Sequence, residues 1–285
     1  PAQRPVAGRD DDGDGDDDIF FYDPTGVDHL WLSNGTANGF ADRQVSVPGG
    51  YRPVAGDWNG DGIDDIFWYR PGPASDRVWT FGANGGHTTT AANAGGTSTT
   101  WPVAGDFDGN GFDDILFYTP GSTSSIWRHN ADGHTTTSVT TGAGYSVRSG
   151  DVNGDNRDDL VWHHPATGTV RLWFGGTNGT FTSATDSIGT GAYQPILGDF
   201  SGDLRADVIW YAPGSGADRY WGGRSNTAPY FAKEGADLAI NGSFQPVVGD
   251  WNGDGTQDIF WYGPGRQPDA VWRSNHLAWN VFPAP

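Results

Sequence analysis

The sequence predicts an all-β chain folded as a six-bladed β-propeller of four-stranded antiparallel blades with calcium-binding loops, and three observations predict it. One phrase recurs six times along the 285 residues. Each copy carries the signals of four short strands. The residues that favour helices are nearly missing: lysine and glutamate occur once each, as Lys233 and Glu234, against 45 glycines and 14 tryptophans.

The six copies are GRDDDGDGDDDIFFY, GDWNGDGIDDIFWY, GDFDGNGFDDILFY, GDVNGDNRDDLVWH, GDFSGDLRADVIWY and GDWNGDGTQDIFWY. Their first loop aspartates, Asp10, Asp57, Asp106, Asp151, Asp199 and Asp250, are spaced by 47, 49, 45, 48 and 51 residues. A period of about 40 to 50 residues with several strands per unit belongs to propeller blades rather than helical solenoids. Every unit reads as a Pro-Val-Ala-Gly-like strand, the aspartate loop, an aromatic strand, a Pro-Gly turn, a strand ending in Trp, an Asn-Gly-type turn and a Thr/Ala/Val strand.

The second strand is apolar on both faces. Ile66 and Trp68 point one way, Phe67 and Tyr69 the other, and Ile259, Phe260, Trp261 and Tyr262 repeat the pattern. A strand of this kind must be covered on both sides, which radial packing between neighbouring blades provides. In the third strand Leu30, Val78, Ile126, Leu172, Tyr220 and Val271 form a consistently apolar position, followed by Trp31, Trp79, Trp127, Trp173, Trp221 and Trp272. The repeats run from Pro5 to Phe282 without a low-complexity linker, so residues 1–285 read as one domain. Because the chain begins at an innermost strand and ends at an outermost one, the ring is expected to close by packing blade six on blade one, with no shared strand.

Composition excludes several classes. An aromatic content of 14% supplies the buried area that a chain with this much Gly and Pro would lack if disordered. A formal charge of −19 repels nucleic acid, and no run of about eighteen apolar residues exists to enter a membrane. With no cysteine there are neither disulfides nor a thiol nucleophile. Methionine is absent even at position 1, which leads us to expect a secreted, extracellular protein that has lost an N-terminal segment.

The loops carry the chemistry. In GDWNGDGIDD the side chains of Asp57, Asn59, Asp61 and Asp65 stand at loop positions 1, 3, 5 and 9, and Ile63 offers its carbonyl at position 7. Hard oxygen donors at that spacing, with glycine allowing tight turns, suit calcium. An EF-hand needs a bidentate glutamate at position 12, where Trp68 stands, so this is a shorter, nine-residue loop. The other copies supply Asp10, Asp12, Asp14, Asp16 and Asp18; Asp106, Asp108, Asn110, Phe112 and Asp114; Asp151, Asn153, Asp155, Arg157 and Asp159; Asp199, Ser201, Asp203, Arg205 and Asp207; and Asp250, Asn252, Asp254, Thr256 and Asp258. Position 7 again contributes a carbonyl. The fifth loop is the weakest, because Ser201 is a poorer donor and Leu204 replaces the usual glycine. Asp-Asn-Gly clusters also form plain turns, but six copies in register favour metal. Of 34 aspartates, 25 lie in these loops, and six Ca²⁺ ions would bring −19 to −7. We therefore expect up to six structural calcium ions.

The phrase PVAGDWNGDGIDDIFWYRPG resembles the FG-GAP (VCBS-type) repeat, familiar from the N-terminal propeller of integrin α chains and from integrin-like lectins. The likeness covers nearly the entire chain. It implies a β-propeller, calcium in the loop between the first and second strands of each blade, and roles in adhesion, sugar binding or protein interaction. Six repeats in place of seven separate this chain from the integrin pattern.

Three functional classes remain. An enzyme, such as a polysaccharide lyase or hydrolase, finds little support: there is no Gly-x-Ser-x-Gly, no HExxH and no phosphate-cradling Gly-Lys. The His163-His164 pair is the nearest catalytic feature, and His163 stands where the other units carry Tyr22, Tyr69, Tyr118, Tyr211 and Tyr262. A carbohydrate-binding module would use an aromatic face with polar neighbours. The most complete sets are Trp79 with Arg77 and Asp76, and Trp221 with Arg219 and Asp218, although a Trp in every blade also fills inter-blade space. A protein-binding or adhesion module has no signature beyond variable loops. The sequence thus predicts a non-enzymatic, calcium-stabilised, lectin-like module whose partner is a glycan or an extracellular protein.

Overall fold

The computed structural model describes residues 4–34, 39–72, 75–82, 86–177, 179–214, 216–265, 267–276 and 278–283. Among these residues, twenty-four strands form six four-stranded sheets. Blade one holds β1 (Arg4–Arg9), β2 (Asp18–Tyr22), β3 (Asp28–Ser33) and β4 (Phe40–Val45). Blade two holds β5 (Arg52–Gly56), β6 (Asp65–Tyr69), β7 (Asp76–Gly82) and β8 (Gly86–Ala92), and blade three β9 (Trp101–Gly105), β10 (Asp114–Tyr118), β11 (Thr123–Asn130) and β12 (Gly133–Thr140). Blade four holds β13 (Ser146–Gly150), β14 (Asp159–His164), β15 (Thr169–Phe174) and β16 (Thr182–Ser187). Blade five holds β17 (Gln194–Gly198), β18 (Asp207–Tyr211), β19 (Asp218–Gly223) and β20 (Phe231–Leu238), and blade six β21 (Gln245–Gly249), β22 (Asp258–Tyr262), β23 (Ala270–Asn275) and β24 (Ala278–Pro283). Pairing is antiparallel and follows chain order from the innermost strand outwards.

The innermost strands touch one another in a ring that closes β21 against β1. Each sheet is built only of consecutive strands, so closure is by packing and no strand is shared. Among the described residues there is no helix.

The core is distributed over the seams between blades, for the reason visible in the second strands. Ile66 and Trp68 pack with Phe20 and Tyr22 of blade one, whereas Phe67 and Tyr69 pack with Ile115 and Phe117 of blade three. Among the described residues there are six such clusters, one per seam, and the one that closes the ring includes Ile19, Phe21, Val247, Trp251 and Phe260. Aromatic edges meet faces across the seams: Phe20 and Trp68 centroids are 5.3 Å apart at 73°, Tyr118 and Trp162 5.1 Å at 82°, Tyr211 and Trp261 5.3 Å at 64°. Each such pair adds about 0.5–1.5 kcal/mol to the area it buries.

Hydroxyls at the end of the second strand fasten the next inter-blade connection. Tyr22 donates to the Pro48 carbonyl at 3.1 Å, Tyr69 to Gly95 at 2.8 Å, Tyr118 to Gly142 at 2.9 Å and Tyr211 to Gly242 at 2.7 Å. In blade four the position is His163, which is fully buried beside Tyr193 and Trp210 of the next blade. His163 therefore fills a packing position on the seam, as the repeat alignment indicated.

Candidate metal loops and a cleft between blades four and five

All six aspartate loops join a blade's innermost strand to its second strand, and they fold alike because the first aspartate organises each of them. In blade two Asp57 Oδ1 accepts the N–H groups of Gly60 at 2.7 Å and Asp61 at 3.2 Å, and Oδ2 accepts that of Gly62 at 2.8 Å. Asp106 does the same for Gly109, Asn110 and Gly111, and Asp151 for Gly154, Asp155 and Asn156. Position 5 then accepts the N–H of position 7: Asp14 from Asp16 at 3.0 Å, Asp61 from Ile63 at 3.0 Å, Asn110 from Phe112 at 2.8 Å, Asp254 from Thr256 at 2.9 Å. These bonds turn the position 7 N–H inwards within the loop.

The sixth loop position lies in the left-handed region, where glycine is at ease and other residues are strained. Leu204 takes it in blade five with φ 65° and its side chain 79% exposed. The fifth loop, expected from the sequence to be the weakest metal site, thus keeps the same turn as the others with a residue that incurs backbone strain to adopt it.

The position 9 aspartates, Asp18, Asp65, Asp114, Asp159, Asp207 and Asp258, are all buried. Each offers Oδ1 to a backbone N–H of its third-strand region: Ser33 at 2.7 Å, Phe81 at 2.9 Å, His129 at 2.9 Å, Gly175 at 2.9 Å, Gly223 at 3.0 Å and Ser274 at 2.7 Å. The second oxygen distinguishes the blades. Asp18 and Asp159 each receive a loop N–H there, from Asp11 at 2.8 Å and Val152 at 3.1 Å, and Asp207 receives two, from Phe200 and Ser201, each at 3.1 Å. The Oδ2 atoms of Asp114 and Asp258, like Oδ1 of Asp12 and Asp108, are buried without a hydrogen-bond donor. Burial pushes the carboxyls of Asp18, Asp114 and Asp159 up to about 8 and that of Asp258 to about 7.

Buried carboxylate oxygens that lack donors are what a cation would satisfy, so the donor set fits calcium on an observation independent of spacing. In the first loop, carboxylate oxygens of Asp10, Asp12 and Asp18 lie within 4.8 Å of one another. Two loops contain an internal competitor: Arg157 pairs with Asp155 at 2.8 Å and Arg205 with Asp203 at 3.1 Å. A guanidinium already neutralising the position 5 carboxylate weakens that loop's claim on a metal.

A relationship not read from the sequence links the loops in series. The position 8 residue donates its N–H to the carbonyl of the preceding blade's first loop aspartate: Asp113 to Asp57, Asp158 to Asp106 and Asp17 to Asp250, each at 2.8 Å, Ala206 to Asp151 at 2.6 Å and Gln257 to Asp199 at 2.9 Å. Where the side chain can accept, the bond is returned, from Asp57 N–H to Asp113 at 3.0 Å and from Asp199 N–H to Gln257 at 3.0 Å. This close approach explains the glycine before the first aspartate in five of the six loops, Arg9 standing there in the first, since a Cβ on Gly56 would lie 2.7 Å from Asp113 Oδ2 and one on Gly198 2.8 Å from Gln257 Oε1.

The tryptophan-centred sets proposed from the sequence are placed differently from an open sugar pocket. Trp79 and Trp221 are buried in seam clusters. His87 stacks on Trp79 at 3.9 Å and 19°, and Lys233 Nζ lies 4.2 Å from the Trp221 ring centre. Asp76 accepts the N–H groups of Arg70 and Ala94 at 2.7 and 2.6 Å, and Asp218 those of Ala212 and Ile240, both at 2.7 Å. Both carboxylates are spent on tying turns to connections. Arg77 and Arg219 are exposed, Arg219 donating to the Ile188 carbonyl at 3.0 Å. Neither set brings a free aromatic face together with free polar groups, because the outer strand covers the ring and the turn consumes the acid.

An open cleft of about 490 Å³ lies elsewhere, where β16 of blade four faces β20 and the chain leading into it in blade five. Thr185 and Asp186 form one wall, and Arg224, Pro229, Tyr230 and Lys233 form the other. Lys233 pairs with Asp186 at 2.5 Å across the seam, 47 residues away in sequence. The sole lysine of the chain was visible in composition, but nothing local announced its partner.

Comparison with known proteins agrees with this architecture. A solved structure of a lectin from Agrocybe aegerita, described as specifically recognising non-reducing terminal N-acetylglucosamine, is similar with a TM-score of 0.66 and 18% identity, over 99% of this chain and 80% of that one. AofleA from Arthrobotrys oligospora is similar with a TM-score of 0.65 and 12% identity, over 99% and 86% of the two chains. A protein from Lactobacillus plantarum follows at 0.59 and 12%, over 99% and 83%. At these identities the likeness is one of fold. No curated protein matches the sequence. The profile described as FG-GAP-like repeat matches residues 10–68, 57–117, 106–162 and 151–210. With more than half of its length matched in repeating register, the chain belongs to the FG-GAP-like repeat family.

Proposed function

We propose that this protein is a non-enzymatic, calcium-stabilised carbohydrate-binding propeller that works outside the cell. The observation that carries the carbohydrate reading is the cleft between blades four and five. It gathers Tyr230 and Pro229 with a hydroxyl, Thr185, and an ion pair, Asp186 with Lys233. An apolar wall beside convergent hydrogen-bonding groups is the chemistry that holds a sugar ring. Recognition of terminal N-acetylglucosamine by the similarly folded Agrocybe aegerita lectin is consistent with such a role.

Calcium would be held by the side chains at loop positions 1, 3, 5 and 9 and the carbonyl at position 7. It supplies positive charge to loops that otherwise concentrate carboxylates. Sites of extracellular modules bind with Kd on the order of 10⁻⁴ to 10⁻³ M, which suits a calcium-rich compartment. The metal's role is structural, since the loops are chained to one another.

A glycan array probed with the calcium-loaded and the chelated protein tests this reading. Binding to glycans that chelation weakens is the expected result. No binding to any glycan, together with retention of one extracellular protein partner, overturns it in favour of an adhesion module, and metal analysis returning no calcium overturns the metal assignment.

A further inference from the structure

We propose that the cleft between blades four and five selects a sugar carrying a carboxylate, with Arg224 as the residue that reads it. This rests on the carbohydrate reading above and narrows it. The argument begins from charge. The chain has only 16 lysines and arginines against 35 acidic residues, yet two of those cations, Arg224 and Lys233, line one cleft.

The two are not equivalent. Lys233 is committed, pairing with Asp186 at 2.5 Å and covering the Trp221 ring at 4.2 Å. Asp186 is committed as well, since it also accepts the Ser187 N–H at 2.7 Å. Arg224 is exposed, and its guanidinium has no partner among the described residues. Its backbone is nonetheless fixed, because its N–H donates to the Tyr230 carbonyl at 3.1 Å on the same wall. Two cations against one carboxylate leave the cleft with one uncompensated positive charge, carried by a side chain whose base is held in place.

A guanidinium presents five donors in a planar fork that matches the two oxygens of a carboxylate. A neutral sugar would make no use of that surplus charge. The pyranose ring of an acidic sugar can lie against Tyr230 and Pro229 while its carboxylate meets Arg224 and a ring hydroxyl meets Thr185. The volume, about 490 Å³, falls within the range of about 300–1,000 Å³ typical of small-ligand sites. Asp186 stands on the opposite wall, already paired with Lys233.

The test uses the full calcium-loaded chain and four immobilised probes: an oligo-uronate, a sialylated oligosaccharide, a sulfated oligosaccharide and a neutral oligosaccharide. The expected result is binding to the oligo-uronate, the sialylated probe or both, and which of them binds identifies the source of the carboxylate. Arg224→Gln should weaken that binding about tenfold or more, as expected for a lost charge-assisted pair, and Arg224→Lys should recover only part of it. Because Arg224 is exposed, an unchanged melting temperature of both variants shows that the fold is intact. Binding to the neutral or sulfated probe alone, or carboxylate binding indifferent to Arg224→Gln, overturns the proposal while leaving the carbohydrate reading standing. Silence on all four probes and on a general glycan array overturns both.

Discussion

Asp17 in the first loop accepts the backbone N–H of Asp250 in the sixth at 2.7 Å and returns its own N–H to the Asp250 carbonyl at 2.8 Å. These two bonds, with Ser33 Oγ donating to the Trp251 carbonyl at 2.9 Å, fasten the seam where the two ends of the chain meet. Burial pushes the Asp17 carboxyl up to about 7, and blade six fills the same loop position with the neutral Gln257. Accepting power rather than charge is therefore what the position requires. Asp17→Asn should change the urea-unfolding free energy by less than about 0.5 kcal/mol, whereas Asp17→Ala, which strands a half-buried N–H, should cost about 1–3 kcal/mol. Equal losses in the two variants would refute this account of closure.

Leu204 holds a conformation that costs a residue with a Cβ about 1–2 kcal/mol. Its side chain is exposed, so replacing it removes little packing. Leu204→Gly should raise stability by about 1 kcal/mol in chemical denaturation. A destabilised variant would mean that Leu204 makes contacts that offset its strain.

Much of this was legible in the chain because the repeat isolates each signal. The alternation of Ile66, Phe67, Trp68 and Tyr69 led directly to seam packing, and the Asp57–Asp65 spacing led to the loop geometry. The tryptophans misled because one residue type serves both packing and sugar stacking; only the outer strand, which places His87 on Trp79, decides between them. The latch was present as a DD doublet in four of the six copies, but its partner lies in another blade, so no local pattern explains the first of the two aspartates. The cleft was the least legible feature. It joins outer strands 47 residues apart, in the part of the unit where the copies differ most.

Calcium binding should release protons. Without metal, burial raises Asp114 and Asp159 to about 8 and Asp258 to about 7, so near neutral pH these carboxyls carry protons that a cation must displace. Affinity should therefore fall as the pH drops below about 8. Calorimetric titrations at pH 7 in two buffers of different ionisation enthalpy measure the effect, and the apparent enthalpies should differ by an amount equal to more than one proton per molecule. Identical enthalpies in the two buffers would count against these aspartates as ligands.

His163 gives the seam between blades four and five its own pH dependence. Burial, reinforced by the neighbouring His164, holds its pKa below the ordinary 6.5. The imidazole lies against Trp210 and Tyr193, and Arg219 lies over the Tyr193 ring, so no carboxylate stands ready to receive a charged form. Below pH 6.5 the unfolded chain takes up a proton that the folded site refuses, so this stabilising contribution is intact above 6.5 and is lost as the pH falls from there towards the folded value. His163→Tyr restores the residue found in the other blades, whose hydroxyls bond the following connection at 2.7–3.1 Å. Its melting temperature should match or exceed the parent's at pH 7.5, and the advantage should widen on descent to pH 5. Calcium held saturating throughout separates this effect from metal loss, and parallel pH curves for parent and variant would exclude His163 as the source.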